Sequence, residues 1–127
     1  MPPIPGVATL TEIQAALAKG LRVLKFFPAE AMGGIRALKA FGEVYREASF
    51  VPTGGVGPQN LAEYMRLSNV HACGGTWLAK SERIARGEFA EIAALAQEAG
   101  DRRVGPGAGG LIEGCAASAQ GLRRARR

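Results

Sequence analysis

The 127 residues are 47% hydrophobic and 21% charged with a formal net charge of +5, proportions that fit one globular domain and exclude a disordered polyelectrolyte. No apolar run nears the ~18 residues of a spanning helix, and Met1-Pro2-Pro3-Ile4 lacks the basic-then-apolar pattern of a signal peptide. With only two cysteines, Cys73 and Cys115, at no metal-ligand spacing, a soluble, reducing, cytoplasmic setting with no membrane partner and no metal is expected.

In chain order, Thr9-Leu10-Thr11-Glu12 has the capping-box pattern, in which the Thr9 hydroxyl and the Glu12 carboxylate satisfy open backbone N–H groups at a helix start. Ile13, Ala16 and Leu17 follow on one helical face, and Gly20 supplies the stop. Arg22–Phe27 reads as a strand ended by Pro28, and a helix over about 34–41 follows. Ser49-Phe50-Val51-Pro52 is a short strand running into Thr53-Gly54-Gly55. Pro58 opens a third helix with Leu61, Tyr64, Met65 and Leu67 on its apolar side. Val70-His71-Ala72-Cys73 is a fourth short strand ending in Gly74-Gly75, and Phe89–Ala99 is a last helix with Phe89, Ile92, Ala93, Leu95 and Ala96 facing inward.

Strands therefore begin near residues 2, 22, 49 and 70 and alternate with helices, the first strand being little more than Pro2–Pro5. That order predicts a parallel α/β sheet with right-handed crossovers. It fits either a small open sheet or about four βα units of a (β/α)8 barrel, a half barrel, since a whole one needs roughly 200–250 residues.

Val104-Gly105-Pro106-Gly107-Ala108-Gly109-Gly110 cannot hold a helix or central strand, so a folded domain over 1–100 and a flexible Gly/Ala/Arg-rich tail over 101–127 are expected. The charge divides with it: 10 Lys/Arg against 9 Asp/Glu over residues 1–100, and 6 Arg against 2 acids over 101–127. The basic end has no aromatic side chain on which bases could stack, so it reads as a solvated tail and no nucleic-acid partner is expected.

Lys25 is the most informative side chain. Strand alternation puts Val23, Lys25 and Phe27 on one face and Leu24 and Phe26 on the other. Were both faces covered, as in parallel sheets, the ammonium would lose water and its pKa would fall. A lysine so tuned condenses with a ketone to an imine. The competing reading is an edge-strand lysine snorkelling to water, and the strand alone favours it.

The turns Thr53-Gly54-Gly55 and Gly74-Gly75-Thr76 each follow a strand. Paired glycines let backbone N–H groups converge on an anion, with a hydroxyl as a further donor, although a single Gly-Gly commonly means no more than a tight turn. His71 and Cys73 read as packing residues and Trp77 as an anchor of its loop. Glu30 is placed to orient a helix start or neighbouring backbone, with general-base chemistry as a candidate role.

Ile4-Pro5-Gly6, Lys25-Phe26-Phe27-Pro28-Ala29-Glu30, Pro52-Thr53-Gly54-Gly55 and Gly74-Gly75-Thr76-Trp77, in that order, resemble the 2-keto-3-deoxy-6-phosphogluconate (KDPG) / 4-hydroxy-2-oxoglutarate (KHG) aldolase family over about residues 4–99. The resemblance implies a class I aldolase on a (β/α)8 TIM-barrel fold, here the C-terminal half, trimeric in the family, without metal or cofactor. Lys25 would be the Schiff-base lysine, Phe27 and Pro28 would line the site, and Thr53, Gly54, Gly55, Gly74, Gly75 and Thr76 would hold the substrate phosphate.

The implied substrates are a phosphorylated sugar acid cleaved to pyruvate and glyceraldehyde 3-phosphate, or hydroxy-oxoglutarate cleaved to pyruvate and glyoxylate. The family's general acid/base glutamate, and the arginine and threonine that hold the pyruvyl carboxylate, belong to its first four strands and have no counterpart in these residues. Met1 is accordingly expected to be an internal start or a truncation point. The expected partners are further copies of the chain or a complementing N-terminal half. The alternative is an inactive half barrel that keeps a phosphate-binding module.

Overall fold

The computed structural model describes residues 3–101, in the order β1 (Gly6–Val7), α1 (Leu10–Ala18), β2 (Val23–Phe26), α2 (Gly34–Val44), β3 (Ser49–Pro52), α3 (Leu61–Met65), α4 (Ser81–Ala85) and α5 (Phe89–Asp101). Asp101, the first residue of the expected tail, closes α5, and the rest of that tail, with Cys115 and the terminal arginines, lies outside the described residues. Among those residues no helix is long and apolar enough to cross a membrane.

The predicted first helix forms as its caps dictate. Glu12 N–H donates to Thr9 Oγ1 at 3.3 Å, and Glu12 Oε2 accepts from the N–H groups of Ala8 and Thr9 at 2.7 and 3.0 Å. At the other end Gly20, at φ +77°, takes the left-handed conformation that glycine adopts without a Cβ clash. Gly20 N–H then reaches Leu17 O and Leu21 N–H reaches Ala16 O, the double closure of a Schellman motif.

The strands form a parallel sheet in the order β1-β2-β3, with Gly6 opposite Lys25 and Lys25 opposite Val51. The first strand sits at Gly6–Val7 rather than at Pro2–Pro5, because prolines have no N–H for the ladder. Pro5 instead accepts from Lys25 N–H at 2.8 Å.

The expected fourth strand, Val70–Cys73, does not form a ladder. It makes two isolated parallel bridges, Phe50 with Val70 and Thr53 with Gly74. Three steps on the β3 side face four on the other, so one residue is in excess, and an extra residue interrupts a ladder as a bulge does.

The sheet is two-faced. Leu24, Phe26, Phe50 and Pro52 are fully buried, packed in a core with Ile13, Ala16, Leu38, Phe41, Leu61 and Tyr64. Phe41 of α2 meets Phe26 edge-on at 5.4 Å between centroids and Phe50 at 5.9 Å. The other face is not covered by the described residues: Val23 is half-buried and Lys25 and Phe27 are exposed.

Farther along, α4 is a helix that the apolar periodicity did not foretell, and none of its residues is buried. In α5 the expected inward face is narrower: Ile92 and Leu95 are half-buried, while Phe89, Ala93 and Ala96 are exposed. Trp77 packs against the core as an anchor, whereas His71 is exposed rather than a packing residue.

Candidate active site

All three strands run the same way, so their C-terminal ends gather the segments after Val7, Phe26 and Pro52 at one edge, where parallel α/β folds place their chemistry. Beyond β2 the pairing continues past the last strand residue. Thr53 N–H donates to Phe26 O at 2.9 Å, Ala29 N–H to Thr53 O at 2.8 Å and Glu30 N–H to Gly54 O at 3.1 Å. The Lys-Phe-Phe-Pro-Ala-Glu run is thereby laced onto the Thr53-Gly54-Gly55 turn.

The two glycines of that turn are needed as glycines. Gly54 and Gly55 have φ of +94° and +81°, a region costly for any residue with a Cβ. A Cβ on Gly54 would stand 3.2 Å from the Phe27 ring and from Pro28 Cα, and one on Gly55 would stand 2.5 Å from Glu30 Cγ. The second turn arrives through the Thr53–Gly74 bridge, closed by Gly74 N–H to Pro52 O at 2.9 Å; a Cβ on Gly74 would lie 2.8 Å from Thr53 Oγ1. Gly75 lies under the Trp77 ring, and Thr76 is exposed.

Of the predicted site residues, Phe27, Pro28, Thr53, Gly54 and Gly74 are thus brought into mutual contact or pairing. Gly55 adjoins them through Glu30, and Gly75 and Thr76 follow Gly74 in sequence at the rim.

Lys25 stands on the uncovered sheet face, in an open depression of about 370 Å³ lined by Gly6, Val7, Ala8, Glu12, Lys25 and Phe27. Its Nζ lies 5.2 Å from the centroid of the Phe27 ring, a cation–π contact of about 0.5–1 kcal/mol at an exposed site. The expectation of a dry amine is not met in this chain, because the opposing wall that would exclude water is absent from the described residues and Lys25 is exposed. The Glu12 carboxyl in the same depression is held below the usual carboxylate range by the N–H groups of Ala8 and Thr9 and by the Thr9 hydroxyl.

Two polar supports of the glycine turn went unread in the sequence. Asn60 accepts from Gly57 N–H at 2.8 Å and donates to Gly55 O at 3.1 Å. Tyr64, fully buried on α3, donates its hydroxyl to Glu30 Oε1. Burial foremost, then the hydrogen bond to Glu30, then the charges of Glu30 and Cys73, push the phenol above its ordinary range and keep it a donor. The available signal was that a tyrosine at a core helix position needs a partner for its hydroxyl.

Among the described residues no group of three or more His, Cys, Asp or Glu could hold a metal ion.

Comparison with known proteins matches residues 1–95 to the family model "KDPG and KHG aldolase". A 2-dehydro-3-deoxy-phosphogluconate aldolase of Treponema pallidum is 47% identical over 98 residues, 77% of this chain and 47% of that protein. The KDPG aldolase of Legionella pneumophila, solved with pyruvate captured at low pH as a covalent carbinolamine, superposes with a TM-score of 0.73 at 42% identity. That match covers 75% of this chain and 46% of the other. The Zymomonas mobilis ZM4 enzyme, solved with 3-phosphoglycerate, gives 0.70 at 38% identity over 76% of this chain and 44% of its own. The chain spans about half the length of these relatives. A parallel sheet with its strand ends, lysine and glycine turns at one edge, together with a family model matched over 95 consecutive residues, gives one conclusion: the chain belongs to the KDPG and KHG aldolase family.

Proposed function

We propose that this chain is the imine-forming and phosphate-holding part of a class I aldolase, corresponding to the last four βα units of a (β/α)8 barrel. It would act on 2-keto-3-deoxy-6-phosphogluconate, 4-hydroxy-2-oxoglutarate or both. The observation that carries the reading is that the segment after Lys25, Phe27 to Glu30, is laced onto the Thr53-Gly54-Gly55 turn, with Gly74 bridged to Thr53 and Lys25 Nζ beside the Phe27 ring, at the C-terminal edge of one parallel sheet. The Legionella relative's covalent pyruvate and the Zymomonas relative's bound phosphate ester support the same assignment.

In the proposed reaction the neutral Lys25 amine adds to the C2 carbonyl, water leaves, and a protonated imine results. A base removes the C4 hydroxyl proton, the C3–C4 bond breaks, and its electron pair moves into the iminium to give an enamine. The aldehyde leaves, the enamine is protonated at C3, and water returns pyruvate and the free amine. Phe27 and Pro28 wall the pyruvyl end, and the two glycine turns take the phosphate through backbone N–H groups and the Thr53 and Thr76 hydroxyls.

The proton acceptor is assigned to a glutamate of the four preceding strands, which a complementing N-terminal half would bring as it closes the barrel. Closure would also cover the open face of β2 and dry Lys25. Missing acid/base catalysis costs about 10²–10⁴ in rate, so the chain alone is expected to cleave its substrate that much more slowly than a full-length relative.

The test is pyruvate release from each substrate, followed by coupled NADH oxidation, for the wild-type chain and Lys25→Met. Slow release by the wild type and none by the variant is the expected result. No release from either substrate, with phosphate esters still bound, would identify the chain as the inactive phosphate-binding module instead.

A further inference from the structure

We propose that Tyr64 and Glu30 form a strap that holds the Phe27–Glu30 segment onto the Thr53-Gly54-Gly55 turn, which makes Tyr64 a positioning residue for the turn assigned to phosphate. The proposal rests on the reading above for what the turn binds, but the strap itself stands on its own geometry.

Four features converge on it. Tyr64 is wholly buried on α3, yet its hydroxyl crosses to the Glu30 carboxylate. The Glu30 side chain lies directly over Gly55, where a Cβ would come within 2.6 Å of both Glu30 Cβ and Cγ. Gly34, at the start of α2, leaves room for the contact, since a Cβ there would stand 2.9 Å from both Glu30 Oε1 and Tyr64 Oη. The Glu30 backbone donates to Gly54 O at the same place, and Gly34 N–H closes back on Ala29 O at 2.8 Å.

The carboxylate thus ties the loop after β2 to α3, beside the start of α2, which the backbone hydrogen bond from Gly34 to Ala29 holds to the same loop. Its aliphatic stem is the lid over the second glycine of the turn. Asn60 holds the far side of the turn through Gly55 O, so the glycine pair is clamped from both sides. Burial first, then the hydrogen bond itself, push the phenol above its ordinary range, so at neutral pH it is a donor to Glu30.

The consequence is local order rather than chemistry. With the strap in place, the Gly54 and Gly55 N–H groups keep one direction, and a preorganised donor loses no free energy in being ordered when an anion arrives. Without the strap, the left-handed glycines are free to rearrange.

The experiment is amide hydrogen exchange on the full chain, read at Ala29 and Glu30, whose N–H groups bridge the two segments, with Ala16 of α1 as internal reference. Tyr64→Phe removes only the hydroxyl, and Glu30→Ala removes the lid and the acceptor. Glu30→Gln keeps a carbonyl oxygen for Tyr64 and tests whether a hydrogen bond rather than charge is required. Exchange at Ala29 and Glu30 about tenfold faster in Tyr64→Phe and Glu30→Ala, unchanged at Ala16, and restored in Glu30→Gln is the expected result. Exchange unaltered in Tyr64→Phe, or accelerated equally at Ala16, overturns the strap. A separate titration of the wild type with inorganic phosphate, followed at the Gly54 and Gly55 amides, reports on the phosphate assignment: no shift there would fault that assignment, while the exchange comparison decides the strap.

Discussion

Lys25 is held by its backbone more firmly than by its side chain. Its N–H donates to Pro5 O, its neighbours in register are Gly6 and Val51, and Nζ rests over the Phe27 ring. Lys25→Arg keeps a cation over that ring but has no amine able to form an imine. It is expected to unfold within about 0.5 kcal/mol of the wild type in urea, as exposed substitutions do, and to lose all adduct formation with pyruvate. A large loss of stability would mean that the lysine is structural. Glu12 is the residue whose charge matters to folding. Its pKa is depressed in the folded chain, so its contribution is present above the ordinary carboxylate pKa of 4.5 and is lost as pH falls through the lower, folded value. Acidification below about pH 4.5 should therefore loosen the start of α1 in the wild type. Glu12→Gln should remove that pH dependence of the Ala8 and Thr9 amide signals, and a wild-type Glu12 carboxyl titrating at or above its ordinary value would contradict it.

At the level of elements, the readable parts were those where local chemistry and packing agree. The capping box and Schellman closure fixed α1 at both ends, and the alternation of β2 put Leu24 and Phe26 on one face and Lys25 and Phe27 on the other, of which the structure buries the first. Thr9→Ala is expected to cost about 1 kcal/mol in chemical denaturation, and Phe26→Ala about 3–5 kcal/mol, since it removes a fully buried ring packed edge-on against Phe41. Equal, small losses for both would show that the core is not centred there. The stretch 70–74 was not legible, because its apolar character suits a strand while the one-residue excess against β3 is set by the pairing geometry and not by composition. Likewise α4 has no buried residue to leave a periodic trace. In the site, the glycines were visible as a motif, but the Tyr64–Glu30 contact that holds them spans 34 residues and has no short-range signature, while the Asn60–Gly55 contact is local yet set by the turn geometry.

For the molecule as a whole, the governing fact is that among the described residues the sheet is packed on one side only. Phe27 is 52% exposed beside Lys25, and the outer edge of β1 has no strand against it among the described residues. An open edge and an apolar face favour association. Sedimentation velocity is expected to show mass rising with concentration, and a compact monomer at all concentrations would argue that the face is stable in water. Association also bears on chemistry, because a covered face would exclude water from the Lys25 amine. The most direct measurement is borohydride reduction of the chain with pyruvate, followed by peptide mass mapping across the associating concentration range. The account predicts a reduced pyruvyl adduct on Lys25 and not on Lys19, Lys39 or Lys80. No adduct on Lys25, or equal labelling of all four lysines, would contradict it.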